Sequence, residues 1–311
     1  MAIQWYPGHM HKAQKEIKEA LPKVDLVIEV VDARIPYSST NPVIANFLSI
    51  GEVKKPVIRV LNKSDLADPD VTQLWRDEFD SHDGIKSLAI SSKQPEQVRK
   101  IMQLCHKLLP NHKANDKTIN AMIMGIPNVG KSTIINILSG RTITKVGNEP
   151  AVTKRQQRID LDDGITLYDT PGFLWPKIEN DNSSYRLAIT GAIKDTVIDY
   201  DDIAYYAIEY IVANYPQCLT KHYQLEKLDA DITTLLESMG RRRGCLQSGG
   251  RIDLDRICKV FIHEFRSFTL GNISLETPEM VKEELVIVEE QIRLKEEKNL
   301  LRKSKRKKRK R

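Results

Sequence analysis

Residues 125–132 read Gly-Ile-Pro-Asn-Val-Gly-Lys-Ser, and residues 62–65, upstream of them, read Asn-Lys-Ser-Asp. The first stretch fits the pattern in which a tight glycine-rich turn points backbone N–H groups at phosphates and a lysine reaches the β and γ phosphates. An apolar run, Ala121–Met124, precedes it and a helical stretch follows, which is the context the pattern needs. The second stretch fits the N-K-x-D pattern, whose carboxylate matches the donor edge of guanine. In the usual chain order the phosphate loop comes first. Together the motifs point to a guanine nucleotide, and their inversion points to a circularly permuted chain.

Asn62, Lys63, Ser64 and Asp65 end the apolar run Val57–Leu61, so they project at a carboxyl edge of the sheet, where open α/β sheets bind ligands. The Asp65 carboxylate accepts from guanine N1–H and N2–H2, a donor pair that adenine lacks, and such a bidentate match discriminates by about 1–3 kcal/mol. Ser91 and Ser92 follow the run Ser87–Ile90 and are expected to meet guanine O6 through backbone N–H. Asn128, Val129, Gly130, Lys131, Ser132 and Thr133 are assigned to the phosphates. Lys131 neutralises β/γ charge as a catalytic cation and the Ser132 hydroxyl ligates Mg2+. Downstream, Asp169-Thr170-Pro171-Gly172 fits D-x-x-G: Asp169 reaches Mg2+ through water and the Gly172 N–H senses the γ-phosphate. Thr153 is the expected switch threonine on Mg2+, with Thr142 and Thr144 as competitors.

Around these motifs, apolar runs at Val24–Val31, Val57–Leu61, Ser87–Ile90, Ala121–Met124, Arg158–Leu161 and Ile165–Tyr168 alternate with helical stretches such as Val71–Phe79 and Glu96–Leu109. Nearly continuous apolar strands imply a mostly parallel sheet with helices on both faces. The expected α/β domain is a permuted P-loop GTPase domain over residues 1–178. A small all-helical C-terminal domain follows over 179–276, with helices over Ile203–Tyr215, Leu225–Met239 and Leu254–Phe265. Gly240, Gly244, Gly249, Gly250 and Gly271 are read as breakers, and residues 277–311 as a charged exposed helix, Pro278–Leu301, and a basic tail.

The 311 residues are 41% hydrophobic and 29% charged, a globular composition. No apolar run approaches the roughly 18 residues of a membrane helix. The N-terminal stretch MAIQWYPGHMHKAQKE lacks the apolar core of a secretory signal. Four cysteines show no C-x-x-C pair. A soluble, reduced, cytoplasmic monomer is expected, without a membrane partner. Arg302–Arg311 carry nine positive charges, so the net charge of +6 becomes −3 without them. Basicity concentrated at one end suits an arm that touches polyanions.

Beyond the nucleotide motifs, WYPGHM at Trp5–Met10, DARIP at Asp32–Pro36, RRGCLQSGGRIDLDR at Arg242–Arg256 and FRSFTLGNISLE at Phe265–Glu276 complete a pattern. With it the chain resembles the ribosome biogenesis GTPase A (RbgA/YlqF) family of circularly permuted GTPases. The resemblance implies a GTP-to-GDP hydrolase acting in late assembly of the large ribosomal subunit, its helical domain touching rRNA. It also offers His9 as the residue that orients water, since Phe173 stands where Ras-like enzymes keep a glutamine, and Asn128 as a K+ ligand. Arg241, Arg242, Arg243, Arg251, Arg256 and Arg266 are candidates for a phosphate-contacting patch. The alternative is a nucleotide-regulated rRNA scaffold with negligible turnover. A P-loop ATPase or kinase is disfavoured by the Asn-Lys-Ser-Asp motif.

Overall fold

In a computed structural model, residues 3–43, 55–115, 117–144 and 157–308 are described; Thr153, Arg309–Arg311 and the side chain of His9 lie outside the described residues. Six strands form one sheet in the order β3-β2-β1-β4-β6-β5. They are β1 (Leu26–Asp32), β2 (Val57–Asn62), β3 (Ile85–Ala89), β4 (Ile119–Met124), β5 (Gln157–Asp160) and β6 (Ile165–Asp169). All pair in parallel except β5, which runs antiparallel to β6. The chain walks outward in one direction from β1 through β2 to β3, and in the other from β4 to β6 and β5. The crevice at the carboxyl ends of β1 and β4 is therefore a topological switch point, where such sheets bind ligands.

The central strands β1, β2 and β4 read as nearly continuous apolar runs because both faces are covered, whereas the edge strand β5 is mostly exposed. Along β1 and β2, Val30 and Val60 enter the larger core, whereas their neighbours Val31 and Leu61 enter a second one with Trp75 and Phe79. Helices α1 (Gly8–Ala20), α2 (Pro69–Asp80), α3 (Pro95–Leu108), α4 (Pro110–Ala114) and α5 (Lys131–Leu138) accompany the sheet. Trp75 and Phe79 of α2 fill the second core, while Met10 and Ile17 of α1, Ile101 of α3 and Ile134 of α5 fill the first. Asp68 starts α2 by accepting from the Asp70 and Val71 N–H groups, with Pro69 fitted at the first helical position.

The helical region comprises α6 (Asp181–Ile189), α7 (Tyr200–Asn214), α8 (Pro216–Tyr223), α9 (Ile232–Arg243) and α10 (Leu254–Arg266), followed by α11 (Pro278–Lys308). Asn180, Asp199, Asp231 and Asp253 cap four of these starts. The helix expected over Leu225–Met239 is displaced: α8 ends at Gln224 with φ of +53°, and α9 begins only after the Asp231 cap. Leu225 and Leu228, which supplied the helical periodicity, pack on the core from the connecting loop. Gly240 is no breaker either. It lies inside α9, where a Cβ would stand 2.7 Å from Ile252 Cγ2. Nor is α11 wholly exposed: Val281 is buried in the second core, Glu284 pairs with Arg186, and Lys282 reaches Glu78 at 2.8 Å.

Candidate active site

The Asn-Lys-Ser-Asp stretch and the Gly-rich loop touch directly. Asn62 is fully buried and its amide Nδ2 donates to the Val129 carbonyl at 2.7 Å. Gly130 sits opposite with φ of +94°, and a Cβ there would lie 2.2 Å from Asn62 Nδ2. Only glycine suits both that backbone and that approach. Asn62 therefore braces the loop of Val129, Gly130, Lys131, Ser132 and Thr133, whereas Ser64 and Asp65 lie on the turn beyond it. That turn starts at Lys63, whose φ is +61°.

Lys63 donates from Nζ to Asp32 Oδ2 at 2.8 Å, and Arg34 meets the same carboxylate through Nε at 2.9 Å and Nη2 at 2.8 Å. Burial alone would raise the Asp32 pKa, but the two cations outweigh it and hold the carboxyl well below its ordinary range. Burial pushes the Lys63 ammonium down, with Asp32 opposing. We take Asp32 as ionised, because both its oxygens face cations. Sequence reasoning found Asp32 and Arg34 only through the DARIP resemblance. The signal was available: Asp32 pairs in register with Asn62 at the ends of β1 and β2.

On the phosphate side, Lys131 Nζ lies 3.8 Å from Asp169 Oδ1, too far for a hydrogen bond. Among the described residues, both Asp169 oxygens are buried without a side-chain hydrogen-bond partner. Burial pushes the Lys131 ammonium down and the Asp169 carboxyl up, and each only partly offsets the other. Such a pair is electrostatically incomplete. It fits a site completed by polyphosphate and a hard cation, so Mg2+ suits the residues present. Gly172 packs on the loop itself, since a Cβ there would lie 3.2 Å from Pro127 Cα and N. Thr170 Oγ1 donates to the Ile123 carbonyl at 3.0 Å and fixes that turn to β4.

Other candidates are placed less directly. Asp65 meets Lys93 at 3.0 Å. The Ser91 N–H is committed to Gln97 Oε1 at 2.8 Å, which leaves Ser92 as the better donor for a base oxygen. Thr144 donates to the Ser132 carbonyl at 3.1 Å and joins Asn136 in anchoring the segment after α5, a structural role. Asn128, at φ of +62°, donates from Nδ2 to the Gly191 carbonyl at 2.7 Å and so ties the phosphate loop to the helical region. His9 lies in the first turn of α1. Its neighbour Met10 is buried and accepts at Sδ from the Leu174 N–H at 3.4 Å. Phe173 is fully buried, its carbonyl accepting from Asn41 Nδ2 at 3.0 Å, so it presents nothing polar to a water molecule.

Residues 120–243 match the family described as 50S ribosome-binding GTPase, and residues 10–179 match the RsgA GTPase family. Ribosome biogenesis GTPase A of Bacillus licheniformis is 44% identical over 286 residues, covering 90% of this chain and 99% of that one. The chain belongs to the ribosome biogenesis GTPase A family. Its Thermotoga maritima member is 31% identical, covering 89% of this chain and 95% of its own. Mitochondrial ribosome-associated GTPase 1 of Ictalurus punctatus is 33% identical over 88% of this chain and 92% of its own. The GDP-bound structure of TM YlqF superposes with a TM-score of 0.61 at 28% identity, covering 85% of this chain and 99% of that one. GNP-bound YlqF from T. maritima gives 0.59 at 28% identity, over 86% and 99%. As a ribosome biogenesis GTPase A member, the chain is a GTPase built on a circularly permuted domain.

Two arginines of the expected phosphate patch find partners within the fold. Arg266 donates to the Ile189 and Ala188 carbonyls and pairs with Asp195, while Arg243 pairs with Glu264 at 2.7 Å. Arg241 and Arg242 belong to the last turn of α9 and not to a broken segment, and with Arg251 and Arg256 they remain exposed. Among the described residues, no helix is long and apolar enough to cross a membrane.

Proposed function

We propose that this GTPase docks in its GTP form on the maturing large ribosomal subunit and leaves when hydrolysis is triggered there, as a cytoplasmic monomer alternating between GTP and GDP. The observation that supports the catalytic half is the buried Lys131–Asp169 pair, whose carboxylate oxygens have no side-chain hydrogen-bond partner among the described residues and suit a cation and a polyphosphate beside them. Asp65 reads the guanine edge, aided by Ser64, Ser92 and the braced Asn62. Asn128 to Thr133 hold the phosphates and Gly172 senses the γ-phosphate. Mg2+ would be held by Ser132, Thr153 and, through water, Asp169, and K+ by Asn128. These ions supply the charge neutralisation that phosphoryl transfer demands. His9 orients the attacking water, because α1 docks on the segment after Gly172 where Phe173 cannot. Exposed Arg241, Arg242, Arg251 and Arg256 supply the rRNA phosphate contacts.

The buried Phe173 also favours a second reading, a nucleotide-regulated rRNA scaffold with negligible turnover. Phosphate release separates the two, measured with and without large subunits, in K+ and in Na+, for wild type and His9→Ala. Subunits are expected to stimulate hydrolysis, more in K+ than in Na+. His9→Ala should lower the stimulated rate about a hundredfold or more, the scale of a lost proton-handling or water-orienting group, with GTP affinity kept. No stimulation would establish the scaffold; equal stimulated rates would remove His9 from the chemistry.

A further inference from the structure

The turn that carries Asp65 is held from a segment more than two hundred residues away. Asn272 Nδ2 donates to the Asp65 carbonyl at 3.0 Å and to the Ala67 carbonyl at 2.9 Å, a separation of 207 residues in the first case. The Ile273 N–H donates to the Leu66 carbonyl at 3.1 Å. Ser274 Oγ accepts from the Asp68 N–H at 3.1 Å, and the Leu275 N–H donates to the Arg34 carbonyl at 2.9 Å. From α7's end, Tyr215 donates to Asp68 Oδ2 at 3.1 Å. Ile273, Ser274 and Leu275 are buried, so most of this seam is shielded from water. The sheet holds only the near end of the turn, where the Ser64 N–H donates to the Ile90 carbonyl at 3.0 Å.

We propose that Asn272–Leu275 is a strap that sets guanine specificity, with Asn272 and Ser274 as positioning residues for the turn bearing Asp65. The inference rests on Asp65 reading guanine. The Asp65 side chain faces the same region: Lys93 lies 3.0 Å from its carboxylate and 5.4 Å from the centre of the Phe268 ring. Hydrogen bonds to a base edge weaken steeply with misalignment, so a turn freed by even a small displacement loses base discrimination before it loses phosphate binding. Among the described residues, no hydrogen bond joins the strap to the phosphate loop or to Asp169. Its effect should therefore appear in the base alone.

The test compares dissociation constants for GDP and IDP, which lacks the 2-amino group, in wild type, Asn272→Asp, Ser274→Ala and Asp65→Asn. Asn272 is exposed, so Asn272→Asp removes the donors without opening the core; unfolding midpoints monitor Ser274→Ala. Both strap variants should lose preference for GDP over IDP by roughly fivefold, the scale of one net hydrogen bond, with IDP affinity changing less. A purely structural role would weaken both nucleotides equally. A wild-type GDP:IDP ratio in folded Asn272→Asp, while Asp65→Asn gains XDP over GDP, overturns the strap alone. Failure of Asp65→Asn to gain XDP overturns the base reading and, with it, the strap.

Discussion

Asp32 shows how a side chain outside the nucleotide motifs conditions one inside them. It receives Lys63 and Arg34 together, and the Ser39 hydroxyl accepts its backbone N–H at 3.0 Å. With Arg34 only 2% exposed and Lys63 half-buried, removing the carboxylate would leave both cations without their anion. Breaking such a group costs about 3–5 kcal/mol. Asp32→Asn should lose stability on that scale near neutral pH and weaken nucleotide binding through Lys63. The pH dependence has a definite sign. A carboxylate depressed in the folded state stabilises fully above its unfolded value, 3.8 here, and loses that contribution as pH falls below it. Urea unfolding from pH 6 down to about 2 should thus show the wild-type advantage over Asp32→Asn shrinking below about pH 4. A constant gap across that range would show that Asp32 is not ionised in the fold.

At the scale of elements, Gly240 decides between two effects of similar size. Alanine would favour α9 by about 1 kcal/mol through helix propensity, yet overpacking a filled core costs about 1–3 kcal/mol. The obstruction is Ile252 Cγ2 at 2.7 Å, a branch close to its own backbone with little room to yield, and Ile257 stands behind it at 3.7 Å. Gly240→Ala should therefore be net destabilising, by about 1 kcal/mol, and Ile252→Ala should cost less in its presence than alone. An alanine variant as stable as wild type would return Gly240 to the role of an incidental helix residue. The same position shows what was legible in the sequence. Strands, phosphate loop and D-x-x-G were readable because their information is local: apolar runs, a glycine at a tight turn, a carboxylate at a strand end. Gly240 looked like a breaker because its partner lies across a loop, and Leu225 mimicked a helix because a docked loop also buries leucines. The pairing of Arg243 with Glu264, and of Arg266 with the end of α6, has no local sequence signal because the partners meet only after folding. Asn272 carried no local signal at all.

For the whole molecule, the helical region meets both motifs. Asn128 of the Gly-rich loop reaches Gly191, while Asn272 reaches Asp65 of the Asn-Lys-Ser-Asp stretch. The foot of α11 is pinned too, through Val281, Lys282 and Glu284, before the helix runs out to Lys308. Six of the nine positive charges of the segment 302–311, those within residues 302–308, are thus carried on a helix fixed at its base, while the rest of the chain has a net charge of −3. An arm of this charge that met a polyanion would add counterion release to binding. Each phosphate neutralised contributes about 0.7–0.9 to the slope of log affinity against log salt, so deleting residues 302–311 should flatten that slope for large-subunit binding by several units, about 6–8 if every charge is engaged. Unstimulated GTP hydrolysis should not change. An unaltered slope would mean that the arm serves solubility, and that the exposed arginines of α9 and its following loop carry the polyanion contact by themselves.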